Sequence, residues 1–116
     1  MFPYENLEVY KKAFQLNQKI YNLIKFNRTI ASYIKSQLGR AGLSIMLNIA
    51  EGSSKYSGKD RRNYFITARG SAFECCSIIC FLHEEAEISE DLKDNLYSSL
   101  EEISRILFVM IKNLGN

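Results

Sequence analysis

Apolar residues along the chain recur three or four positions apart, the spacing that places side chains on one face of an α-helix. They form four stripes, through residues 7–24, 34–52, 64–82 and 92–114. No stripe has the two-residue alternation of a half-buried strand. One proline and six glycines leave long segments without a helix breaker. The pattern predicts four long helices and no sheet. The expected helix bounds are roughly 5–25, 30–53, 58–86 and 89–114.

Polar residues at the ends of the stripes predict where the helices begin. Thr29 or Ser32 is the candidate N-cap of the second helix. Ser57 and Asp60 have capping-box spacing at the start of the third, and Ser89 precedes acidic residues at the start of the fourth. Because the connections are short, successive helices should return antiparallel. We expect an all-α, antiparallel up-down-up-down four-helix bundle that forms a single domain over residues 1–116.

Composition restricts the class of protein further. The chain has 116 residues, 47% of them hydrophobic, which suits one globular domain. Its first residues lack the basic and then apolar pattern of a signal peptide, and no uninterrupted apolar run reaches the roughly 20 residues that span a bilayer. Three cysteines cluster in the third stripe, unlike a secreted disulfide framework. These features predict a cytoplasmic protein that does not enter a membrane.

Charge is distributed unevenly along the chain. Residues 1–73 carry twelve Lys and Arg against four Asp and Glu, a net charge of +8. Residues 74–116 carry three against nine, a net charge of −6. Separate basic and acidic surfaces indicate nucleic-acid binding or head-to-tail self-association. The other interpretation is that these charges only solvate the outer faces of the helices.

Small and polar residues form a second stripe beside the apolar one on the second and third helices. The members are Gln37, Ser44, Asn48, Glu51, Lys55, Thr67, Gly70, Glu74 and Ser77. Buried polar groups need hydrogen-bond partners. The stripes therefore predict either a hydrogen-bonded contact between the two helices or a subunit interface in which Arg40 pairs with Glu51 or Glu74. A catalytic role for Asn48 or Glu51 is the third interpretation.

These residues also carry a resemblance to a known family. The run from Arg40 to Gly52, with its Asn-Ile-Ala-Glu-Gly string, is followed by Tyr64 to Glu74, with its Gly-Ser-x-x-Glu string. Together with the opening residues and the last helix, they resemble the four-helix-bundle proteins encoded in 23S rRNA intervening sequences. The motif positions are Arg40, Ser44, Asn48, Glu51, Gly52, Gly70, Ser71 and Glu74.

The resemblance implies a ring-like homopentamer in which the motif positions form the interface between subunits. It also implies kinship with the accessory variability proteins of diversity-generating retroelements, which are basic pentamers that bind nucleic acid and a reverse transcriptase. We therefore expect a non-catalytic, homo-oligomeric scaffold with RNA or DNA and a partner protein, such as a reverse transcriptase, as candidate partners. The net charge of +2 is lower than in the retroelement relatives.

A basic segment provides a candidate nucleic-acid site. Its cations are Lys55, Lys59, Arg61, Arg62 and Arg69. They are interleaved with aromatic residues, including Tyr56, and with a single acid, Asp60. Basic side chains neutralise phosphates, while exposed aromatic rings stack on bases. The alternative function is a protein–protein interaction module without nucleic-acid binding, which presents an acidic fourth helix. The acidic residues of that helix are Glu90, Asp91, Asp94, Glu101 and Glu102.

Enzymatic and metal chemistry find little support in the pattern. Cys76, Cys80 and His83 project from one helix face, but no fourth ligand or Cys-x-x-Cys motif accompanies them. The chain lacks a phosphate-binding Gly-rich loop and the Glu-x-x-His pairs of di-iron bundles. We expect no enzyme, no metal and no cofactor. A hydrolase that uses Glu51, Asn48 and Arg40 is the remaining alternative.

Overall fold

The computed structural model describes residues 1–115 and contains four α-helices. They are α1 (Glu8–Phe26), α2 (Ser32–Ser53), α3 (Gly58–Glu84) and α4 (Glu90–Asn113). The expected all-α four-helix bundle is confirmed. The first helix begins three residues later than expected because Pro3–Asn6 forms a 3-10 turn and Leu7 is extended.

The helices form a square in which each one packs against two neighbours. The backbones of α1 and α2, α2 and α3, α3 and α4, and α4 and α1 approach closely, whereas within residues 1–115 the Cα atoms of the two diagonal pairs stay more than 8 Å apart. The α1/α2 side and the α3/α4 side are therefore opposite faces of the bundle. The helices run antiparallel because connections of a few residues join consecutive helices. The interior contains the predicted stripe residues, among them Leu16, Ile45, Ile79 and Leu107.

The capping prediction is correct for α3 and α4 and wrong for α2. The Ser57 hydroxyl accepts a hydrogen bond from the Asp60 amide at 3.1 Å, and Ser89 does the same for Leu92. The N-cap of α2 is Ala31, which provides no side-chain bond. Thr29 lies too far ahead of α2 and instead donates to Glu87, whereas Ser32 is already helical. The preceding turn is held by Asn27, whose side-chain oxygen accepts from two backbone amides.

A polar side chain closes the contact between α1 and α2. Asn17 donates to the carbonyl of Ala13 on its own helix and to that of Gly42 on α2, at 2.9 and 2.8 Å. A Cβ at Gly42 would lie 2.8 Å from the Asn17 side-chain oxygen. Glycine at this position lets the Asn17 amide reach the backbone of the neighbouring helix.

The helix α3 is long and apolar enough to cross a membrane by length and composition alone, with a mean hydropathy of 1.4 in its most apolar window. A core helix that packs against two neighbouring helices can be equally long and equally apolar. Seven residues of α3, from Phe65 to Leu82, are buried in the bundle. Burial in the bundle therefore accounts for part of the apolar character of α3.

Candidate nucleic-acid interface

The α2–α3 loop, residues 54–57, brings three of the five predicted cations to one end of the bundle. Lys55 lies within the loop, and Lys59 and Arg61 lie in the first turn of α3. The Nε of Arg61 donates to the backbone oxygen of Lys55 at 2.9 Å, so its guanidinium group folds back against the loop. Lys59 and Arg61 are both exposed and can reach a phosphate backbone.

The third cation at this end, Lys55, also interacts with neighbouring side chains of its own chain. Its ammonium group lies 5.1 Å from the centre of the Tyr64 ring and 3.9 Å from a Glu51 carboxylate oxygen. The side chain is one-third exposed. Lys55 therefore stabilises the junction of α2 and α3 as well as adding positive charge to the loop.

The structure places the other two predicted cations along α3, away from the loop. Arg62 and Arg69 are two turns apart on the side of α3 that faces α4. The guanidinium carbon of Arg69 lies 4.8 Å from the ring centre of Phe73 and 5.2 Å from that of Phe108. Its Nε donates to the Ser104 carbonyl at 3.2 Å. Arg69 thus ties α3 to α4, and the predicted basic segment divides into a loop group and a helix-side group.

A hydrogen bond joins α2 to α3, as one interpretation of the stripes predicted, but its partner on α3 is Ser71 rather than a member of the predicted polar stripe. The hydroxyl groups of Ser44 and Ser71 lie 2.7 Å apart, and the Asn48 amide donates to the Ser44 carbonyl at 2.8 Å. A Cβ at Gly52 would lie 2.8 Å from the Phe65 ring. We call these residues the α2/α3 contact, and define it by Ser44, Asn48, Gly52 and Ser71. Half of the family-motif positions therefore pack inside the protomer.

The remaining motif positions, Arg40, Glu51, Gly70 and Glu74, are exposed. Within residues 1–115, Arg40 forms no ion pair with Glu51 or Glu74, and Glu51 faces Lys55 instead. A Cβ at Gly70 would meet no atom within 4 Å. These four residues remain available to another molecule, and the predicted pairing of Arg40 across a subunit interface remains a prediction.

A large apolar groove lies on the opposite side of α3 from this contact. An α3/α4 groove of about 780 Å³ separates the outer edges of the two helices. Its walls include Phe73 and Phe108, which are 57% and 52% exposed, together with Tyr97 and Val109. The helical stripes did not predict this groove, because they identify only the residues that face the core. The signal that could have revealed it is the position of these large apolar residues off the core stripes.

A second apolar surface, the α1/α2 ridge, occupies the opposite face of the bundle. It consists of Phe14, Tyr21, Leu43 and Leu47, all of them exposed. Single apolar residues scattered over a surface are normal, whereas clusters of large apolar groups mark surfaces that contact other molecules. The arrangement can support contacts with two other molecules at once.

The cysteines divide between the core and the groove. Cys75 is fully buried, and burial raises the pKa of its thiol to about 12. Cys76 and Cys80 line the groove, where burial and the neighbouring Cys80 raise the pKa of Cys76 to about 11. His83 follows on the same side of α3, but no group of three or more His, Cys, Asp or Glu in residues 1–115 is arranged to hold a metal ion. The thiols of Cys75 and Cys76 are poor nucleophiles at neutral pH.

The fold and the α2/α3 contact define a small four-helix-bundle protein with a cationic loop at one end and apolar faces on two sides. The chain belongs to the 23S rRNA-intervening sequence protein family, whose model matches residues 5–109. It is similar to a solved protein of unknown function from the S23 ribosomal protein family of Bacteroides thetaiotaomicron, with 27% identity and a TM-score of 0.86. That match covers 90% of this chain and 98% of the other. No curated protein matches the chain.

Proposed function

We propose that the chain is a non-catalytic protomer of a homo-oligomer that binds RNA or DNA at the α2–α3 loop. The observation that carries this proposal is a set of unpaired cations. Lys59 and Arg61, the two exposed cations at this end of the bundle, form no ion pair among residues 1–115. A cation without an ion-pair partner can bind a phosphate without breaking an existing salt bridge, and the counterions released from the nucleic acid favour binding. The family description, which refers to 23S rRNA intervening sequences, is consistent with a nucleic-acid partner.

The alternative, a protein–protein module that uses an acidic α4, has less free charge to offer. Asp94 pairs with Lys93 and Glu101 with Arg105, within the same helix. Glu102 pairs with Lys12 on α1 at 2.8 Å. The two remaining acids, Glu90 and Asp91, lie in the first turn of α4, where they favourably oppose the helix dipole.

The homo-oligomer part of the proposal is supported by the two opposite apolar faces. A heterologous contact that seats the α1/α2 ridge of one copy in the α3/α4 groove of the next can close into a ring, as the expected pentamer requires. A ring repeats the cationic loop in every subunit, which multiplies a modest affinity for a polyanion.

The nucleic-acid part is tested by reversing charge at the loop. We expect Lys59→Glu combined with Arg61→Glu to weaken binding of a labelled oligonucleotide by at least about tenfold, since several phosphate contacts are lost in each subunit. Fluorescence anisotropy over a salt series measures this. For the unmodified protein, the logarithm of the association constant should fall linearly with the logarithm of the salt concentration. Lys25→Glu with Arg28→Glu makes the same change in net charge at the other end of the bundle and serves as the control. The proposal is contradicted if binding does not depend on salt concentration, or if both pairs of substitutions weaken binding equally.

The assembly part is tested by breaking each face separately. Phe73→Lys with Phe108→Lys removes the groove, and Leu43→Lys with Leu47→Lys removes the ridge. Each exposed double variant should remain helical by circular dichroism and run as a monomer in light scattering. A mixture of the two should form a heterodimer, because one intact groove and one intact ridge remain. An unmodified protein that is monomeric at micromolar concentration contradicts the proposal.

The resemblance also suggests a protein partner, such as a reverse transcriptase, and a cytoplasmic location. Both remain predictions. Co-purification with a tagged chain, with and without nuclease, tests the partner, because an interaction that survives nuclease does not depend on shared nucleic acid.

A further inference from the structure

Tyr56 occupies an unusual position at the tip of the α2–α3 loop. Its side chain is 104% exposed relative to a reference tyrosine, so no part of the ring packs on the protein. The fourteen other large apolar residues on the surface are each more covered than Tyr56, and each lies on a helix or near the N-terminus. A ring with both faces in water is available to stack on a ligand.

The loop that carries Tyr56 is short and is held at both ends. On the α2 side, the amides of Ser54 and Lys55 donate to the carbonyls of Glu51 and Gly52 at 3.0 and 3.2 Å. On the α3 side, the Ser57 hydroxyl caps the helix by accepting from Asp60. Tyr56 therefore projects from a fixed backbone. A rigid support and a side chain with two rotatable bonds lose little entropy when the ring is immobilised.

Two exposed cations lie at the same end of the bundle as this ring. Arg61 is held against the loop by its bond to the backbone oxygen of Lys55, the residue next to Tyr56. Lys59 lies in the first turn of α3 and is exposed. An aromatic platform beside cations that contact a phosphate backbone is the arrangement by which proteins bind single strands.

Resting on the function proposed above, we propose that the α2–α3 loop binds single-stranded nucleic acid, with Tyr56 stacked on an unpaired base and Arg61 and Lys59 on the flanking phosphates. A duplex keeps its bases stacked on one another and offers no free base face along its length. Phosphate contacts alone serve single strands and duplexes alike. Discrimination between the two forms therefore depends on the ring.

The test compares unstructured single strands with a duplex of the same sequence. Labelled RNA and DNA oligonucleotides are titrated with the full chain and with Tyr56→Ala, Tyr56→Phe and Tyr33→Ala. Tyr33 is an exposed tyrosine at the other end of the bundle and serves as the matched control. We expect Tyr56→Ala to weaken single-strand binding about 5- to 150-fold, the range for loss of one stacked base, and to leave duplex binding unchanged. Tyr56→Phe and Tyr33→Ala should bind like the unmodified protein.

The outcomes separate this inference from the function on which it rests. If single strands and duplexes bind with equal affinity and Tyr56→Ala changes neither, the stacking inference is wrong while the nucleic-acid proposal stands. If no nucleic acid binds at low salt, both are wrong. The RNA and DNA arms identify which single strand is preferred, because a contact to the 2′-hydroxyl benefits RNA alone.

Discussion

The two sides of α3 differ in how they meet their neighbours. Towards α2, small residues bring the helices into contact: Ser71 bonds Ser44, and Gly52 lies against Phe65. Towards α4, large residues hold the outer edges apart, and Phe73 and Phe108 remain half exposed around Arg69. The size of side chains at a helix contact determines how closely two helices pack. One side of α3 is therefore closely packed within the protomer, whereas the other leaves large apolar side chains exposed.

This difference changes the interpretation of the family motif. The motif was expected to form the interface between subunits, yet Ser44, Asn48, Gly52 and Ser71 stabilise the contact between α2 and α3. The groove residues Phe73 and Phe108 are not motif positions. Half of the motif positions thus maintain the protomer, and the expected subunit interface stays a prediction.

The two sides of α3 should differ most in how the free energy of unfolding responds to substitution of two motif glycines, Gly52 and Gly70. We expect Gly52→Ala to destabilise the protein by about 1–2 kcal/mol, because the added methyl overlaps a buried ring and the cost of overpacking exceeds the gain in helix propensity. Gly70→Ala should instead stabilise by up to about 1 kcal/mol, since its methyl meets nothing. Urea unfolding at one protein concentration measures both. The same sign for the two changes would refute the division between a closed and an open side of α3.

A smaller effect is expected at the serine pair. Removing one hydroxyl, by Ser71→Ala or Ser44→Ala, should cost about 1 kcal/mol because the other loses its partner. The double variant should cost less than the two single changes together, with a coupling of about 0.5–1 kcal/mol in a double-mutant cycle. Ser77→Ala, a position of α3 outside this pair, is the control and should change stability by less than about 0.5 kcal/mol. Strict additivity would mean that the hydroxyl groups do not interact in solution.

The smallest effect concerns the rate at which thiols are modified. Because the pKa of Cys75 is raised to about 12 and that of Cys76 to about 11, alkylation of both should be slower at pH 7 than that of a small-molecule thiol. The rate at Cys76 should rise about tenfold per pH unit towards its pKa, in proportion to the thiolate fraction. Single-cysteine variants and mass spectrometry measure each site. Rapid alkylation of Cys75 at neutral pH would show that its side of α3 is not closed.

The raised pKa values also determine how stability depends on pH. The folded protein holds these thiol protons more tightly than the unfolded chain, whose cysteines titrate near the ordinary value of 9.0. Their contribution to the free energy of unfolding is therefore fully present below about pH 9 and is lost as pH rises towards 12. Replacing both Cys75 and Cys76 with alanine should reduce this alkaline loss, which urea unfolding at several pH values measures.

The sequence predicted which cations of the candidate nucleic-acid site cluster along the chain, but it did not predict where each of them lies on the surface. Sequence spacing grouped Lys55, Arg62 and Arg69 with the other cations because all lie within fifteen residues. Once α3 forms, Arg62 and Arg69 lie on the side of the helix that faces α4, and Arg69 is held by two rings. The ten helical steps from Lys59 to Arg69 extend about 15 Å, so neighbours in sequence can lie far apart on the surface.

The sequence by itself determined the four helices, two of their caps and the buried stripe, because helix formation and burial depend on residues three or four positions apart. It also placed Ser44 on a helix face that carries small and polar residues, whereas it placed Ser71 in the apolar stripe of α3. Only the tertiary structure decided that these faces meet each other, that Ala31 rather than Thr29 precedes α2, and that an apolar groove lies between α3 and α4. Those features depend on which helix faces which, and packing between segments distant in sequence is not encoded in the local period of any one segment.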